Sequence, residues 1–383
     1  MKQHWSLDPE VTFLNHGSFG ACPRRVLAFQ SEIRAEMERG PVAFMLRKLP
    51  QRLEAVRAEL AEFVGALPKD LVFGSNATAG VNAVVRSLRL AQGDEILTTN
   101  HAYGPCQSAL DFVASRAGAK VVVADVPFPI ESPDQVLESV LAAATSRTRL
   151  ALVDHVTSTT GLVYPIAALV EQLQNRGVQV LVDGAHAPGM VPLDLEELQP
   201  DYYTANLHKW VCAPKGAGML WVHPRHQQDV FPLVISQGYG LPEATRFQAM
   251  FDWPGTFDPS AWLSVGEALR VLAEVGGGWP AIRAHNTALA LKGREILCHA
   301  LNIESPAPVA MVGALASIPL PPGSEGCALA LHKELVNAGF EVPVFPWGGA
   351  KGRVLRVSAQ LYNEPAEYER LAVTLQPLLA VGR

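Results

Sequence analysis

The stretches VLVDGAHAPG (residues 180–189) and NLHKW (residues 206–210) each place polar side chains directly after a hydrophobic strand. The apolar run VQVLV ends at Asp183, and the run YYTAN leads to Lys209. In open α/β sheets, ligands bind beyond the carboxyl ends of such strands. The two stretches therefore predict an α/β fold with Asp183 and Lys209 close together at one edge of a sheet.

This pair of residues fits the chemistry of pyridoxal phosphate. The cofactor needs an amine that holds its aldehyde as an imine, and a carboxylate against its pyridine nitrogen keeps the ring protonated and electron-withdrawing. Lys209 and Asp183 would fill these two roles. Neither residue alone indicates a cofactor site, because an aspartate after a strand is often a capping residue and most lysines are solvated.

The alternation of strands and helices extends over residues 70–223. Short Val/Leu/Ile runs predict strands at 95–99, 120–125, 149–154, 179–183, 202–205 and 218–222. Amphipathic segments predict helices near 78–90, 104–116, 133–145 and 165–176. This order is typical of a mainly parallel sheet flanked by helices.

The pattern changes at both ends of that region. Helices are predicted at 24–39 and 51–64 before the sheet, and near 259–275, 280–300 and 364–380 after it. We therefore predict an N-terminal segment (1–22) that packs near the active site, a large sheet domain (23–255) and a smaller α+β C-terminal domain (256–383).

Composition excludes several classes of function. The chain has 383 residues, of which 49% are hydrophobic and 18% charged, so it can bury a large core. Its formal net charge of −6, without a long Lys/Arg run, predicts no nucleic-acid or membrane partner. The N-terminus lacks a secretory signal, which predicts a cytoplasmic protein. Five scattered cysteines predict reduced thiols and no metal site.

Seven motifs occur in an order and spacing that resemble the class V aminotransferase-like, fold-type I pyridoxal phosphate enzymes, and among them the isopenicillin N epimerase-like branch. The motifs are LNHGSFG (14–20), SNATAG (75–80), TTNHAYG (98–104), VDGAHAPG (182–189), NLHKW (206–210), WPGTF (253–257) and RVSAQLYN (356–363). The resemblance covers nearly the whole chain. It implies a fold-type I architecture, a pyridoxal 5'-phosphate cofactor, an amino-acid substrate and a homodimer.

SNATAG lies between a strand-like LVF and a helix, so the N–H groups of Ala77 and Thr78, with the Thr78 hydroxyl, are predicted to face an anion at the helix N-terminus. Helix capping alone is the alternative. The resemblance implies that this is the cofactor's phosphate site, with further contacts from Asn206 and His208. It also implies a contact from Gly255 and Thr256 of the neighbouring subunit.

Two residues compete for the face of the cofactor ring. His101 corresponds to the stacking residue of the desulfurase members, and we favour it, whereas epimerase-like relatives retain Tyr103. The resemblance further implies that His186 and Ser158 line the phenolic edge of the cofactor. At Ser158 this chain departs from the many relatives that have asparagine.

Arg356 resembles the family's clamp for the substrate carboxylate, a role that suits guanidinium because it donates two parallel hydrogen bonds. A surface arginine at a strand edge is the alternative. Asn15 and His16 are predicted to close the pocket, and Arg47 to reach a second carboxylate.

The resemblance implies a common chemistry in which the substrate displaces Lys209 from the imine and Lys209 then removes the Cα proton. The resulting quinonoid has several fates. We favour return of the proton on the other face, which makes an epimerase or racemase. A C–S lyase, such as a hercynylcysteine sulfoxide lyase-like enzyme, is the alternative, and an aminotransferase is less favoured.

Two further functions are disfavoured. A cysteine desulfurase needs a nucleophilic cysteine on a loop before Arg356, and residues 339–358 contain none, while Cys327 lies in a predicted helix. A non-catalytic nucleotide-binding protein would need a GxGxxG or GxxxxGK[ST] loop after a strand, which the sequence lacks.

Overall fold

The strands fall into a large central sheet, a small sheet and one isolated pair. In the computed structural model, which describes residues 1–324 and 326–381, they are β1 (Thr12–Phe13), β2 (Leu71–Gly74), β3 (Glu95–Thr99), β4 (Lys120–Ala124), β5 (Thr148–Asp154), β6 (Gln179–Asp183), β7 (Tyr202–Asn206), β8 (Gly218–Val222), β9 (Leu315–Leu320), β10 (Phe340–Glu341), β11 (Val344–Pro346) and β12 (Arg353–Ser358).

The central sheet has the order β2-β8-β7-β6-β5-β3-β4. Strands β3 to β7 are parallel, and β8 alone runs antiparallel to its neighbours β7 and β2. Because parallel strands end at one edge, Asp154, Asp183 and Asn206 are carried to the same side of the sheet. This geometry positions the site.

Helices cover both faces of this sheet. The helices are α1 (His16–Phe19), α2 (Arg24–Arg39), α3 (Pro41–Ala43), α4 (Leu49–Val64), α5 (Ala77–Ser87), α6 (Gly104–Ala117), α7 (Asp134–Ala143), α8 (Ile166–Gln174), α9 (Leu195–Leu198), α10 (Glu243–Asp252), α11 (Ser260–Leu263), α12 (Val265–Gly276), α13 (Trp279–Leu301), α14 (Cys327–Asn337) and α15 (Pro365–Val381).

Alternate residues of each strand face the two helical layers, as the two-residue period of a strand requires. On β6, Val180 and Val182 belong to the same buried cluster as residues of α2, α4, α8 and α12, whereas Leu181 belongs to the cluster that includes residues of α5, α6 and α10. Both faces are thus apolar, which explains why these strands read as continuous hydrophobic runs.

The small sheet is antiparallel and has the order β11-β12-β9. Its core is shared with α13, α14 and α15. The N-terminal segment joins this part of the molecule, because β1 pairs with β10 and the Ser358 N–H donates to the carbonyl of Leu14. The chain start is thereby held beside β12, which carries Arg356.

The α/β fold with a mainly parallel sheet agrees with the prediction from sequence, and most predicted element limits fall within a few residues of those observed. The predicted helix 259–275 is interrupted at Ser264, where α11 gives way to α12. Buried residues of both helices belong to the core of the large sheet.

The predicted division into 1–22, 23–255 and 256–383 stays a prediction, and Glu325, Gly382 and Arg383 of its last part lie outside the described residues. None of the helices described is both long and apolar enough to cross a membrane.

Helix α5 approaches β7 closely at Gly80, where an added Cβ would lie 2.1 Å from Thr204 Oγ1. The hydroxyl is anchored, since it donates to the Met219 carbonyl at 2.9 Å. We expect Gly80→Ala to destabilise the protein by about 1 to 3 kcal/mol through overpacking. Thermal unfolding should show a lowered midpoint. Gly240→Ala, where a Cβ meets nothing within 4 Å, is the matched control, and an equal midpoint for the two variants would contradict this account.

Candidate active site

A cavity of about 500 Å³ opens at the carboxyl edge of the central sheet. Its walls are formed by the segments that follow β2, β3, β5, β6 and β7, with contributions from α1, β11 and β12. The predicted site residues that line it are Ala77, Thr78, Tyr103, Ser158, Asp183, His186, Asn206, His208, Lys209 and Arg356. Residues from distant parts of the sequence therefore meet in one place.

Lys209 lies in the turn after β7 with its side chain buried. Its Nζ is 2.9 Å from His186 Nε2. Burial, and then the positive charge of Arg356, lower the pKa of the Lys209 amine to about 7. A sizeable fraction of this amine is therefore unprotonated near neutral pH, as attack on an aldehyde requires.

Asp183 ends β6 and is also buried. Its Oδ1 accepts from the Ala185 N–H at 2.9 Å, and its Oδ2 accepts from the Cys106 thiol at 3.4 Å. Burial raises the pKa of Asp183, and no Lys or Arg forms a salt bridge with it among the described residues. A protonated pyridine nitrogen would supply the missing cation, so the site fits the cofactor's ring.

A second buried carboxylate, Asp154, lines the same cavity and was missed by the sequence reasoning. It ends β5 directly beside Asp183 in the register of the sheet. Burial, followed by the charge of Asp183, raises the pKa of Asp154 well above its usual value. The signal was available, because the predicted strand 149–154 also ends in an aspartate.

The N-terminus of α5 forms another wall of the cavity. Asn76 caps the helix by accepting from the Ala79 N–H at 2.9 Å. The Ala77 N–H, which was expected to face an anion, instead donates to Asn206 Oδ1 at 2.9 Å. Thr78 is half-buried and lines the cavity, so its N–H and hydroxyl remain suited to a phosphate.

His208 lies beside this helix end and lines the cavity. Its Nδ1 is 3.2 Å from the Ala217 carbonyl, so Nδ1 carries the proton and Nε2 is left for another partner. Burial, and then Lys209, lower the pKa of His208 to about 4. An anion bound here would oppose that shift.

Arg356 on β12 is buried without a carboxylate within 4 Å among the described residues. Its Nη1 donates to the Ser158 carbonyl, and its Nη2 donates to Asn15 Oδ1 at 3.3 Å and Ser18 Oγ at 3.2 Å. Burial lowers the pKa of the guanidinium to about 10, which leaves it charged at neutral pH. A buried cation without an anion is suited to a substrate carboxylate.

The two candidates for the ring face are placed differently. His101 is buried away from the cavity wall, with Nδ1 2.6 Å from Thr160 Oγ1, Nε2 3.0 Å from the Val126 carbonyl, and Trp347 against its ring. Tyr103, at the start of α6, is 44% exposed and lines the cavity. The structure therefore brings Tyr103, rather than the favoured His101, to the cavity wall.

The remaining predicted residues lie outside the cavity lining. Asn15 Oδ1 accepts a hydrogen bond from Arg356 Nη2. His16 is hydrogen-bonded to the Lys209 carbonyl through Nε2 at 3.0 Å and to the Tyr362 hydroxyl through Nδ1 at 2.7 Å. Arg47 is exposed. Gly255 and Thr256, expected to serve the neighbouring subunit, do not line the cavity of their own chain.

Lys215 and Ser75 also line the cavity without having been predicted. Lys215 donates from Nζ to the Gly20 carbonyl at 3.0 Å, which ties the turn after Lys209 to the N-terminal segment. Neither residue has a distinguishing sequence signal, because a lysine in a Pro-Lys-Gly turn and a serine before a helix are common surface features.

Enzymes that hold pyridoxal phosphate on a fold-type I scaffold bring a lysine and an aspartate together in this way, and this is the class that the fold and the site define. The chain belongs to the aminotransferase class V family, whose model matches residues 24–371. The predicted family and its pyridoxal 5'-phosphate cofactor are thereby confirmed, and the protein is an enzyme of that family.

Two relatives and one solved structure narrow the comparison. Isopenicillin N epimerase of Amycolatopsis lactamdurans is 38% identical over 393 residues, which cover 98% of this chain and 97% of the relative. Hercynylcysteine sulfoxide lyase of Schizosaccharomyces pombe is 31% identical over 324 residues, covering 82% and 81%. The structure of a C-DES mutant with glycine covalently linked to its PLP cofactor superposes with a TM-score of 0.81 at 21% identity, covering 99% of each chain, and confirms the fold.

Replacement of Arg356 by lysine tests the clamp, because lysine keeps the charge but loses the paired donors. We expect Arg356→Lys to reduce kcat/KM for an amino-acid substrate about 10- to 100-fold. Steady-state kinetics would measure the loss. Arg353→Lys is the matched control, since Arg353 lies on the same strand but donates to the Pro321 carbonyl. Equal losses in both variants would argue against the clamp.

Proposed function

We propose that the protein acts at Cα of an amino-acid substrate as an isopenicillin N epimerase-like epimerase or racemase, with its cofactor attached to Lys209. A single cavity is lined by a buried Lys209, by Asp183 and by Arg356, and among the described residues Asp183 has no cationic salt-bridge partner and Arg356 no anionic one. This arrangement is the main support for the proposal. The 38% identity to an isopenicillin N epimerase supports the epimerase outcome.

Arg356, Lys209 and Asp183 have separate roles in the proposed reaction. Bound pyridoxal phosphate supplies an electron sink for the electron pair released at Cα. Arg356 fixes the substrate carboxylate, and thereby orients the Cα–H bond. The free Lys209 amine has a pKa of about 7 in this structure, which suits a base that works near neutral pH. Asp183 would keep the nitrogen of the bound ring protonated.

A C–S lyase is the second candidate, and the 31% identical hercynylcysteine sulfoxide lyase supports it. Both reactions need the same base and clamp, and differ in whether the proton returns to Cα or a β-sulfur substituent leaves. A cysteine desulfurase is not favoured, because no cysteine is among the described residues that line the cavity. Cys327, at the start of α14, is buried and its thiol contacts the Lys351 carbonyl.

Incubation with single amino acids in deuterated water separates the two outcomes. We expect exchange of the Cα proton together with inversion of configuration at Cα. NMR would measure the exchange, and chiral chromatography would measure the inversion. Exchange without inversion would count against the epimerase. Pyruvate released from S-substituted cysteines or their sulfoxides would instead establish the lyase.

The same assays test Lys209. Lys209→Ala should abolish both exchange and elimination, while Lys120→Ala, on an exposed part of β4, should keep wild-type rates. Turnover by Lys209→Ala at the wild-type rate would refute the assignment of the base.

We further propose a homodimer in which each active site draws on both subunits, and a cytoplasmic location. A run of exposed apolar side chains between α9 and α10 supports the dimer, namely Leu233, Val234, Ile235, Tyr239 and Leu241. The positions of Gly255 and Thr256 away from their own cavity agree with a role in the other subunit. The five buried free thiols suit a reducing compartment.

Subunit complementation tests the shared site. Thr256→Glu would place a negative charge against the cofactor phosphate of the neighbouring subunit, so we expect this variant and Lys209→Ala each to be inactive alone. Mixed dimers contain one site with Lys209 and Thr256 both intact, and co-expression should therefore restore activity. Failure to recover activity in a purified mixed dimer would contradict a shared site.

A further inference from the structure

Trp210 follows Lys209 in the chain, and both side chains contact the same histidine. His186 Nε2 lies 2.9 Å from Lys209 Nζ, and His186 Nδ1 lies 3.3 Å from Trp210 Nε1. All three residues are buried. The histidine therefore bridges an indole and the amine on which the cofactor is proposed to sit.

The hydrogen bonds that link Trp210, His186 and Lys209 allow only one arrangement of donors and acceptors. An indole N–H only donates, so His186 Nδ1 must present its lone pair to Trp210. Burial, and then Lys209, lower the pKa of His186 well below its usual value, so the ring is neutral and its one proton is on Nε2. That N–H can bond Lys209 Nζ only if the amine has a free lone pair, which an ammonium lacks.

We infer that Trp210 is a positioning residue, whose indole N–H holds His186 in the Nε2-protonated form and so presents the Lys209 amine unprotonated to the incoming cofactor. This inference rests on the proposed role of Lys209. Without the indole donor, His186 could move its proton to Nδ1 and accept a hydrogen bond from a Lys209 ammonium. The amine would then be held in the form that cannot attack an aldehyde.

Other charged groups act on these two side chains. For Lys209 they are Arg356, which lowers the pKa of the amine, and Asp183, Cys106 and Asp154, which raise it. For His186 they are Lys209, Arg356, His16 and His208, all of which lower the pKa of the ring. These charged groups thus favour a neutral His186 ring, but they do not determine which nitrogen carries the proton. The Trp210 indole determines the tautomer.

The surroundings of Trp210 keep the donor in place. The indole is 1% exposed, and the His16 ring packs against it with a centroid separation of 4.8 Å. His16 in turn bonds the Lys209 carbonyl at 3.0 Å. Gly189 lies so close that an added Cβ would be 2.8 Å from the Trp210 carbonyl carbon. Backbone and ring are therefore fixed on several sides.

The tautomer can be read directly. In the full-length enzyme with ¹⁵N-labelled histidine, long-range ¹H–¹⁵N spectra distinguish the two neutral forms, and His186→Gln assigns the signal. We expect His186 to be neutral with its proton on Nε2. A ring protonated on Nδ1, or on both nitrogens, at neutral pH would overturn the inference, and this measurement needs no variant of Trp210.

Trp210→Phe removes the donor and keeps an aromatic ring. We expect a share of His186 to change to the Nδ1-protonated form. The pH profile for attachment of added pyridoxal phosphate to the cofactor-stripped chain should shift upward by about half to one pH unit, the equivalent of one hydrogen bond. Trp221→Phe is the matched control, because this buried indole has no hydrogen-bond partner among the described residues. In Trp221→Phe, the His186 tautomer and the pH profile for cofactor attachment should match those of the wild type.

Identical tautomers and profiles for Trp210→Phe and Trp221→Phe would overturn the role of Trp210. If Trp210→Phe does not fold, the tautomer of His186 in the wild-type protein still tests the inference. Borohydride reduction followed by peptide mapping locates the attached cofactor. A label on a residue other than Lys209 would refute the proposed function, whereas the tautomer measurement would still report on Trp210 and His186 separately.

Discussion

Parallel pairing of β5, β6 and β7 is the constraint on which the site depends. It places Asp154 and Asp183 side by side, and it ends β7 so that the following turn can carry Lys209 into the same space. The pairing is stable because alternate residues of each strand are buried in two separate helical layers. A slip of one residue would turn the apolar side chains toward the wrong layer and remove the aspartates from the edge.

The cavity brings together buried charged groups that have no salt-bridge partner in the part of the chain that the structure describes. Asp183 has no salt bridge to a cation, and Arg356 has no salt bridge to a carboxylate, among the described residues. Such groups cost free energy in a folded protein unless a ligand compensates them. Their positions therefore suit a cofactor ring that brings a positive charge and a substrate that brings a negative one.

The fold and the pairing of Asp183 with Lys209 could be predicted from the sequence because both depend on local patterns. The strand at Gln179–Asp183 was predicted with its observed limits, and the predicted helix near 78–90 begins one residue from the observed one. Other features depend on contacts across the fold. The Ala77 N–H bonds Asn206, which lies 129 positions away in the sequence, and Asn15 reaches Arg356 across 341 positions. No local pattern indicates either bond.

His101 and Tyr103 show the same limit on a smaller scale. They are two residues apart in one motif, and only the packing of Trp347 and Thr160 around His101 decides which one reaches the cavity.

By itself, the sequence determined the α/β fold, the family, the cofactor and the expectation that Lys209 lies near Asp183, because hydrophobic periodicity and short motifs are properties of the linear chain. Tertiary structure decided which polar atoms are already paired and which are left for ligands. It showed that Asp154 lies in the same cavity as Asp183, and it alone revealed the link from Trp210 through His186 to Lys209. The physical reason is that burial and hydrogen bonding are settled by residues far apart in sequence, which meet only when the sheet and its helices pack together.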